Sequence, residues 1–351
     1  MSPEKQEENM KKLIAAIFAI TLTAACFASC GSEKKDSSPE KATEATTVEA
    51  DTEAETTEAE TTEAEEEADD ENYETGDASL DNVRNQDGIG ENELLVVSFG
   101  TSFNDSRRLT IGGIEDALEK AFPEYSVRRG FTANIIIDHV NKRDGILIDD
   151  LDASLKRAVD NGVKNLVVQP THLMNGLEYD ELTGKIAEYS DAFDKAVIGE
   201  PLLTSDDDFA RVEKAVTDWT SEYDDGETAI CFMGHGTEAD SNAVYQKMQD
   251  LLTKDGFANY YVGTVEASPS VEDVLAKVKE GNYKRVILEP LMVVAGDHAN
   301  NDMAGDEEDS WKSVFEAEGY EVKCLLRGLG ENEEIRKLYI EHAQNAIDLL
   351  N

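Results

Sequence analysis

The sequence predicts an α/β fold made of two similar Rossmann-like halves, each a parallel sheet flanked by helices, with a cleft between them. Three observations predict it. Short apolar runs recur through residues 91–351 with stretches of helical periodicity between them, the pattern of strands buried on both faces. Three motifs in residues 91–215 return in the same order in residues 216–351. The side chains best suited to chemistry fall just after apolar runs, where open parallel sheets hold their ligands.

Residues 1–30 read as targeting sequence, outside the fold. Met10-Lys11-Lys12 supplies a basic start and makes Met10 a better start than Met1. Residues 13–25 are apolar, and Ala28-Ser29-Cys30 closes the segment in the manner of a bacterial lipoprotein signal. Cys30 is then the lipidated residue, with Cys26 the weaker candidate. A plain secretory signal or an uncleaved anchor is the alternative, although the run is too short for a membrane span. The expected location is the bacterial cell envelope, extracytoplasmic, held to the membrane by lipid alone.

Residues 31–90 are an acidic low-complexity tract with T-T-E-A-E repeats. Dense like charge and few apolar groups leave it unable to offset its own ordering entropy, so a disordered tether is expected. Its root-mean-square reach would be roughly 45 Å. About 21 acidic and 4 basic side chains lie in this tract, so the domain keeps roughly −27 of the formal −44. A nucleic-acid partner would need a basic face, and none is visible.

The domain divides into a first half, 91–215, and a second half, 216–351. Apolar runs predict strands at 94–98, 125–129, 166–170, 196–198, 229–233, 260–265, 286–294 and 321–325. Helical periodicity fills 110–121, 151–161, 208–222, 244–254, 271–280, 310–317 and 333–349. Cys231 and Cys324 lie inside apolar runs, with no zinc-type spacing, and are expected as buried free thiols. His139 and His342 sit on charged, helix-like stretches and read as surface residues.

The repeat aligns L-L-V-V-S-F-G-T with A-I-C-F-M-G-H-G-T, which sets Phe99 opposite His235. R-R-G-F-T-A-N beside V-G-T-V-E-A-S sets Thr132 opposite Glu266. V-V-Q-P-T-H-L-M-N-G-L-E beside I-L-E-P-L-M-V-V-A-G-D-H sets Glu178 opposite His298. The third pair is closer in sequence than the other two, which implies an insertion in the first half near residues 134–150. The second half has thus gained a His, Glu, His set at equivalent strand ends, which points to one metal site.

His235 lies between Gly234 and Gly236, where backbone can turn tightly and approach a ligand, and its imidazole can hold a divalent metal or take a proton. His298 precedes Asn300-Asn301-Asp302, polar groups that could orient the ring or cap a helix beginning near Asn301. Glu266 follows a strand directly. Phe99, Thr101 and His172, at strand ends of the first half, are candidates to touch a bound ligand. The chain has no G-K-S/T phosphate loop and no G-x-S-x-G hydrolase elbow, and Gly328-Leu329-Gly330 is weak evidence for a nucleotide.

Taken in order, these motifs resemble the anaerobic sirohydrochlorin cobalt chelatases, a branch of the class II tetrapyrrole chelatases. The strings are V-V-S-F-G-T-S from Val96, F-T-A-N-I-I from Phe131, H-L-M-N-G-L-E-Y from His172, F-M-G-H-G from Phe232, V-E-A-S-P from Val265 and P-L-M-V-V-A-G-D-H-A-N-N-D-M from Pro290. They cover essentially all of residues 92–350. The resemblance implies a chelatase-like fold and insertion of Co2+ into sirohydrochlorin on the oxygen-independent route to cobalamin. It implies a metal held by His235, His298 and Glu266, with His235 presenting the ion and taking a proton. The divalent metal is then a substrate, with Fe2+ or Ni2+ as alternatives, and no organic cofactor is implied. A tetrapyrrole is the expected partner, self-association into a homo-oligomer stays open, and Arg107, Arg108, Arg128 and Arg129 are candidates for its carboxylates, with surface salt bridges as their alternative role. The leader and tether fit a second reading, an envelope lipoprotein that binds haem or metal for uptake without catalysis.

Overall fold

The computed structural model describes residues 75–350; the leader, Cys30 and most of the expected tether lie outside the described residues. In the first half β1 (Asn92–Ser98), β2 (Ser126–Phe131), β3 (Asn165–Pro170) and β4 (Lys195–Ile198) form a parallel sheet in the order β2-β1-β3-β4. In the second half β5 (Thr228–Gly234), β6 (Tyr260–Thr264), β7 (Arg285–Pro290) and β8 (Glu321–Cys324) repeat it as β6-β5-β7-β8. All eight strands coincide with the apolar runs of the sequence. The run at 286–294 stops being a strand at Pro290, and the residues beyond it bend towards the site.

The central strands are buried on both faces, which is why they read as unbroken apolar runs. Leu94 and Val96 of β1 join Ile230 and Phe232 of β5 in one core between the halves. Leu95 and Val97 turn to the outer core of the first sheet, and Ala229, Cys231 and Met233 to that of the second. Cys231 and Cys324 are both free and lie on β5 and β8, with Leu288 of β7 between them in register. Cys231 is buried as expected, whereas Cys324 is only half-buried.

The helices are α1 (Asn104–Leu109), α2 (Ile111–Ala121), α3 (Asn134–Asp144), α4 (Leu151–Asp160), α5 (Leu177–Tyr189), α6 (Asp206–Thr220), α7 (Ala243–Lys254), α8 (Val271–Glu280), α9 (Trp311–Ala317) and α10 (Glu333–Asp348). Between β2 and β3 stand two helices, α3 and α4, where β6 and β7 are joined by α8 alone. The insertion expected near 134–150 is therefore α3 and the loop after it, which returns to the sheet edge through a bridge between Phe131 and Asp150.

The boundary expected near residue 215 falls inside α6. Ser205 starts that helix with a capping box, its hydroxyl accepting from the Asp208 N–H while the Asp208 carboxylate accepts from the Ser205 N–H at 2.7 Å. Such a cap is worth about 1 kcal/mol. α6 packs against α7 of the second half, and α10 returns to cover α2, β3 and β4 of the first. Each half is thus braced by a helix that follows the other's sheet, and the two share one core. His342 of α10 is buried, not superficial as its charged neighbours led us to expect: one ring nitrogen meets Asp208 at 3.1 Å and the other the Glu200 carbonyl at 3.2 Å.

Two more expectations are corrected. Residues 75–90 were assigned to the tether, yet they form a strap along the first half. Asp81 sits between Arg107 and Arg129, and Arg84 pairs with Glu115, Asp116 and Glu119. Of the four arginines considered for substrate carboxylates, three are consumed inside the fold. Arg107 pairs with Asp81, Arg128 with Glu93, and Arg129 with both Asp81 and Glu115, all with side chains of 0% exposure. Arg108 pairs with Asp105 at the surface. Unpairing one member of such a buried pair costs about 3–5 kcal/mol, which holds these charges away from any ligand.

Candidate metal centre

Because every strand is parallel, β1, β2 and β3 end at one edge of the first sheet and β5, β6 and β7 at the matching edge of the second. A cavity of about 540 Å³ opens between these edges, lined from both halves. Its walls are largely apolar, with Phe99, Ile135, Ile136, Leu173, Met174 and Met292 among them, and its lining includes no lysine or arginine. Thr101 and His172 line it as well, so all three expected ligand-contacting residues of the first half face one space.

His235 is the first residue past β5, and the two glycines around it have separate reasons. A Cβ on Gly234 would lie 2.1 Å from the Tyr245 ring, so glycine lets α7 pack beneath the loop. Gly236 has φ +93°, a conformation L side chains rarely adopt. The turn it makes brings its carbonyl to 2.8 Å from His235 Nδ1. A carbonyl only accepts, so Nδ1 carries the proton and Nε2 is left as a lone-pair donor.

Glu266 is brought beside it by the backbone. The Val265 N–H donates to Gly234 O at 3.0 Å and the Glu266 N–H to His235 O at 2.8 Å, while Thr264 Oγ1 bonds Ala267 O at 2.6 Å. Glu266 Oε1 then stands 3.6 Å from His235 Nε2, their side chains 54% and 46% exposed. Two donors each about 2.1 Å from one metal ion would be separated by about that distance.

His298 enters from β7. The Leu291 N–H donates to Met233 O, carrying the chain across the end of β5, and Ala299–Met303 forms a π-helical turn behind the ring. The polar run we expected to cap a helix near Asn301 is inside this turn. It does orient the ring: Asp302 Oδ2 is 2.7 Å from His298 Nδ1, which turns Nε2 outwards. That hydrogen bond raises the His298 pKa above the ordinary imidazole value; burial opposes the rise and the charges of Asp302, Glu266 and Asp297 add to it. The His235 and His298 rings meet edge to face with centroids 4.5 Å apart.

The metal-capable atoms of His235, Glu266 and His298 all lie within 4.8 Å of one another, the one such group of three among the described residues. Two imidazoles and a carboxylate suit a borderline divalent ion, and the exposed side facing the cavity leaves room for a further ligand, the arrangement of a metal that must be handed over or react.

The counterparts in the first half are now fixed by hydrogen bonding. Phe99 corresponds to His235, since each follows the central strand directly. The Ala133 N–H donates to Phe99 O as the Glu266 N–H does to His235 O, so Ala133, not Thr132, is the counterpart of Glu266. Glu178 is the second residue of α5, as His298 is of its own helical turn. Glu178 also lines the cavity. Sequence comparison presented it as the silent partner of His298, and its being a carboxylate facing an apolar cavity was the signal available. His139, expected at the surface, lines the cavity from the inserted α3.

Residues 92–348 match the family model described as cobalt chelatase (CbiK). The sirohydrochlorin cobaltochelatase of Salmonella typhimurium is 35% identical over 256 residues, which span 73% of this chain and 96% of that protein. The sirohydrochlorin cobaltochelatase CbiKC of Nitratidesulfovibrio vulgaris is 28% identical over 281 residues, 78% of this chain and 97% of that one. Among solved structures, the sirohydrochlorin chelatase SirB of Bacillus subtilis subspecies spizizenii in complex with cobalt superposes with a TM-score of 0.51 at 12% identity, covering 74% of this chain and 96% of SirB. At that identity the likeness bears on the fold alone.

Proposed function

The chain belongs to the cobalt chelatase (CbiK) family, and on that premise we propose that His235, Glu266 and His298 hold Co2+ for insertion into sirohydrochlorin at the cavity between the halves. The chain is a sirohydrochlorin cobaltochelatase, a lyase that takes a divalent metal as substrate. The observation that carries the site assignment is the convergence of the three donors at the rim of an apolar cavity whose lining includes His235 and His298.

The chemistry follows from the donors. A planar macrocycle loses its two pyrrole N–H protons as the ion enters, and the ion must leave its protein ligands in the same event. His235 Nε2, freed as the metal moves to the macrocycle, becomes a base beside the nitrogen that is shedding a proton. Glu178, a carboxylate lining the cavity from the first half, is the acceptor we assign to the second proton. His298, oriented by Asp302, and Glu266 keep the ion in place until transfer. Phe99, Ile135 and the methionines give the ring an apolar, flat surface to lie against. Absorbance of the full chain with sirohydrochlorin and Co2+ tests the assignment. Formation of the cobalt complex by the wild type and its loss in His235→Ala are expected; no conversion by the wild type overturns it.

The leader supports a further reading, that the domain works outside the cytoplasm at the end of a lipid-anchored tether. Among the described residues no helix is long and apolar enough to cross a membrane. If Cys30 carries the lipid, Cys30→Ala moves the protein from the membrane to the soluble fraction; an unchanged distribution rejects that role.

A further inference from the structure

The loops after the two central strands are held differently. In the second half Asn242 serves the loop after β5 locally, accepting from the Thr237 N–H at 3.1 Å and donating to Ser268 O at 2.7 Å. In the first half the loop after β1, which carries Phe99 and Thr101 into the cavity, is held by a buried guanidinium. Arg107 Nη1 donates to Thr101 O at 3.1 Å and to Ser102 O at 3.4 Å; Arg143 donates to Ser102 O as well, at 2.6 Å. Arg107 is in turn fixed from behind by Asp81, whose Oδ2 lies 2.7 Å from both Arg107 Nε and Arg129 Nη1. Asp81 belongs to the strap, ahead of residue 92, where the family match begins.

We propose that Asp81 is a positioning residue for the substrate wall of the cavity, acting through Arg107 on the carbonyls of Thr101 and Ser102, so that the strap is part of the catalytic unit and not the end of a tether. The geometry supports a mechanical role at this place. A Cβ on Gly296 would sit 2.8 Å from Thr101 Oγ1, so Thr101 abuts the segment that delivers His298. The Ala295 N–H also donates to Ser106 Oγ at 3.0 Å, tying α1 to the same segment. The Asp81 side chain is 2% exposed, and the strap is pinned on either side of it, with the Asp105 N–H donating to Thr75 O at 2.7 Å and the Arg129 N–H to Arg84 O at 3.2 Å. A carboxylate buried this way, between two guanidiniums, fixes where their forks point.

The inference rests on the chelatase reading for its effect on substrate, so its test has a second readout independent of that reading. In the full chain, Asp81→Asn removes the charge at constant shape, and Arg107→Lys keeps a cation opposite Asp81 without the planar fork that reaches both carbonyls. In both variants we expect amide exchange across residues 99–104 to quicken by about tenfold or more while residues 235–242 exchange as in the wild type. The KM for sirohydrochlorin rises by about tenfold to a hundredfold, and cobalt affinity stays within about twofold. Unchanged exchange across 99–104 in the folded variants overturns the inference, as does equal weakening of cobalt and macrocycle. If the wild type fails to convert sirohydrochlorin, the chelatase reading falls and the exchange result still decides the role of Asp81. Should Asp81→Asn fail to fold, Arg107→Lys gives the same decision.

Discussion

The two halves share a strand order, a register and a set of equivalent strand ends, and differ in what stands there. In the second half the three positions carry His235, Glu266 and His298, whose donors converge within 4.8 Å. In the first they carry Phe99, Ala133 and Glu178, of which Phe99 is 51% exposed and Ala133 buried. Backbone geometry alone therefore does not make the metal site; the same hydrogen bonds that set Glu266 beside His235 set Ala133 beside Phe99 with nothing to coordinate. The first half has instead gained α3, which adds Ile135, Ile136 and His139 to the cavity wall. On the proposed function, one half is the metal holder and the other an apolar surface for the flat ring.

Equivalent substitutions in the two halves break or sharpen this division. The largest effect is expected from His235→Ala, which should lower kcat/KM for cobalt insertion by about two to four orders of magnitude. Phe99→Ala, at the equivalent position, should leave cobalt binding intact and raise the KM for sirohydrochlorin by about tenfold or less. Steady-state absorbance assays with metal and macrocycle varied separately distinguish the two. A Phe99→Ala that weakened cobalt as strongly as His235→Ala would show that the halves do not divide the work. Next in size, Glu266→Gln should weaken cobalt binding by about tenfold to a hundredfold, whereas Glu178→Gln should slow turnover with cobalt affinity unchanged, as equilibrium titration beside the kinetic assay would show.

The same division explains how much could be read before the structure. The strands were legible because the inner ones are buried on both faces and leave unbroken apolar runs, while the half-exposed edge strands β4 and β8 keep only short ones. α3 and α5 were not, because burial leaves so little pattern: only Val140 in α3 and Leu182 and Ile186 in α5 are buried. His235, Glu266 and His298 were legible as strand-end residues that the first half lacks. Thr132 was paired with Glu266 one position out of place, since short motifs slide by a residue where hydrogen bonds do not. The strap was invisible for a different reason. Residues 75–90 follow the acidic repeats directly and carry only Leu80, Val83 and Ile89 as large apolar side chains, and what orders them is the arginine pair Arg107 and Arg129, far away in sequence. Those arginines in turn stood as candidates for a ligand or for surface salt bridges, because their buried partner, Asp81, looked like part of the tether.

A smaller effect concerns protons at the metal-holding half. The Asp302 hydrogen bond raises the His298 pKa, so the protonated ring, which cannot ligate, persists to higher pH than an ordinary imidazole would. Cobalt affinity should be flat above the raised pKa and fall by up to about tenfold per pH unit below it, once His298 must lose its proton to bind. Asp302→Asn removes the leading cause of the rise, so the break should move to lower pH. The plateau should drop by about tenfold, since the ring loses the partner that orients it. Titrations across pH 5–8 check both signs, and a break that moved up would contradict the hydrogen-bond assignment.

The smallest expected change lies on the other half and is the most demanding of the comparison. Ile135 is 51% exposed at the cavity wall, at the start of the helix that only the first half carries. Truncation there removes little that the fold has buried, so Ile135→Ala should change stability by no more than about 0.5 kcal/mol. It does remove apolar surface that a bound macrocycle would cover, which at about 25 cal/mol per Å² corresponds to a few-fold rise in the KM for sirohydrochlorin with kcat and cobalt affinity unchanged. The effect should vanish for a tetrapyrrole that binds without reaching this wall. If Ile135→Ala left KM untouched while Phe99→Ala raised it, α3 would flank the ring without bearing it, and the substrate surface of the first half would shrink to its strand ends.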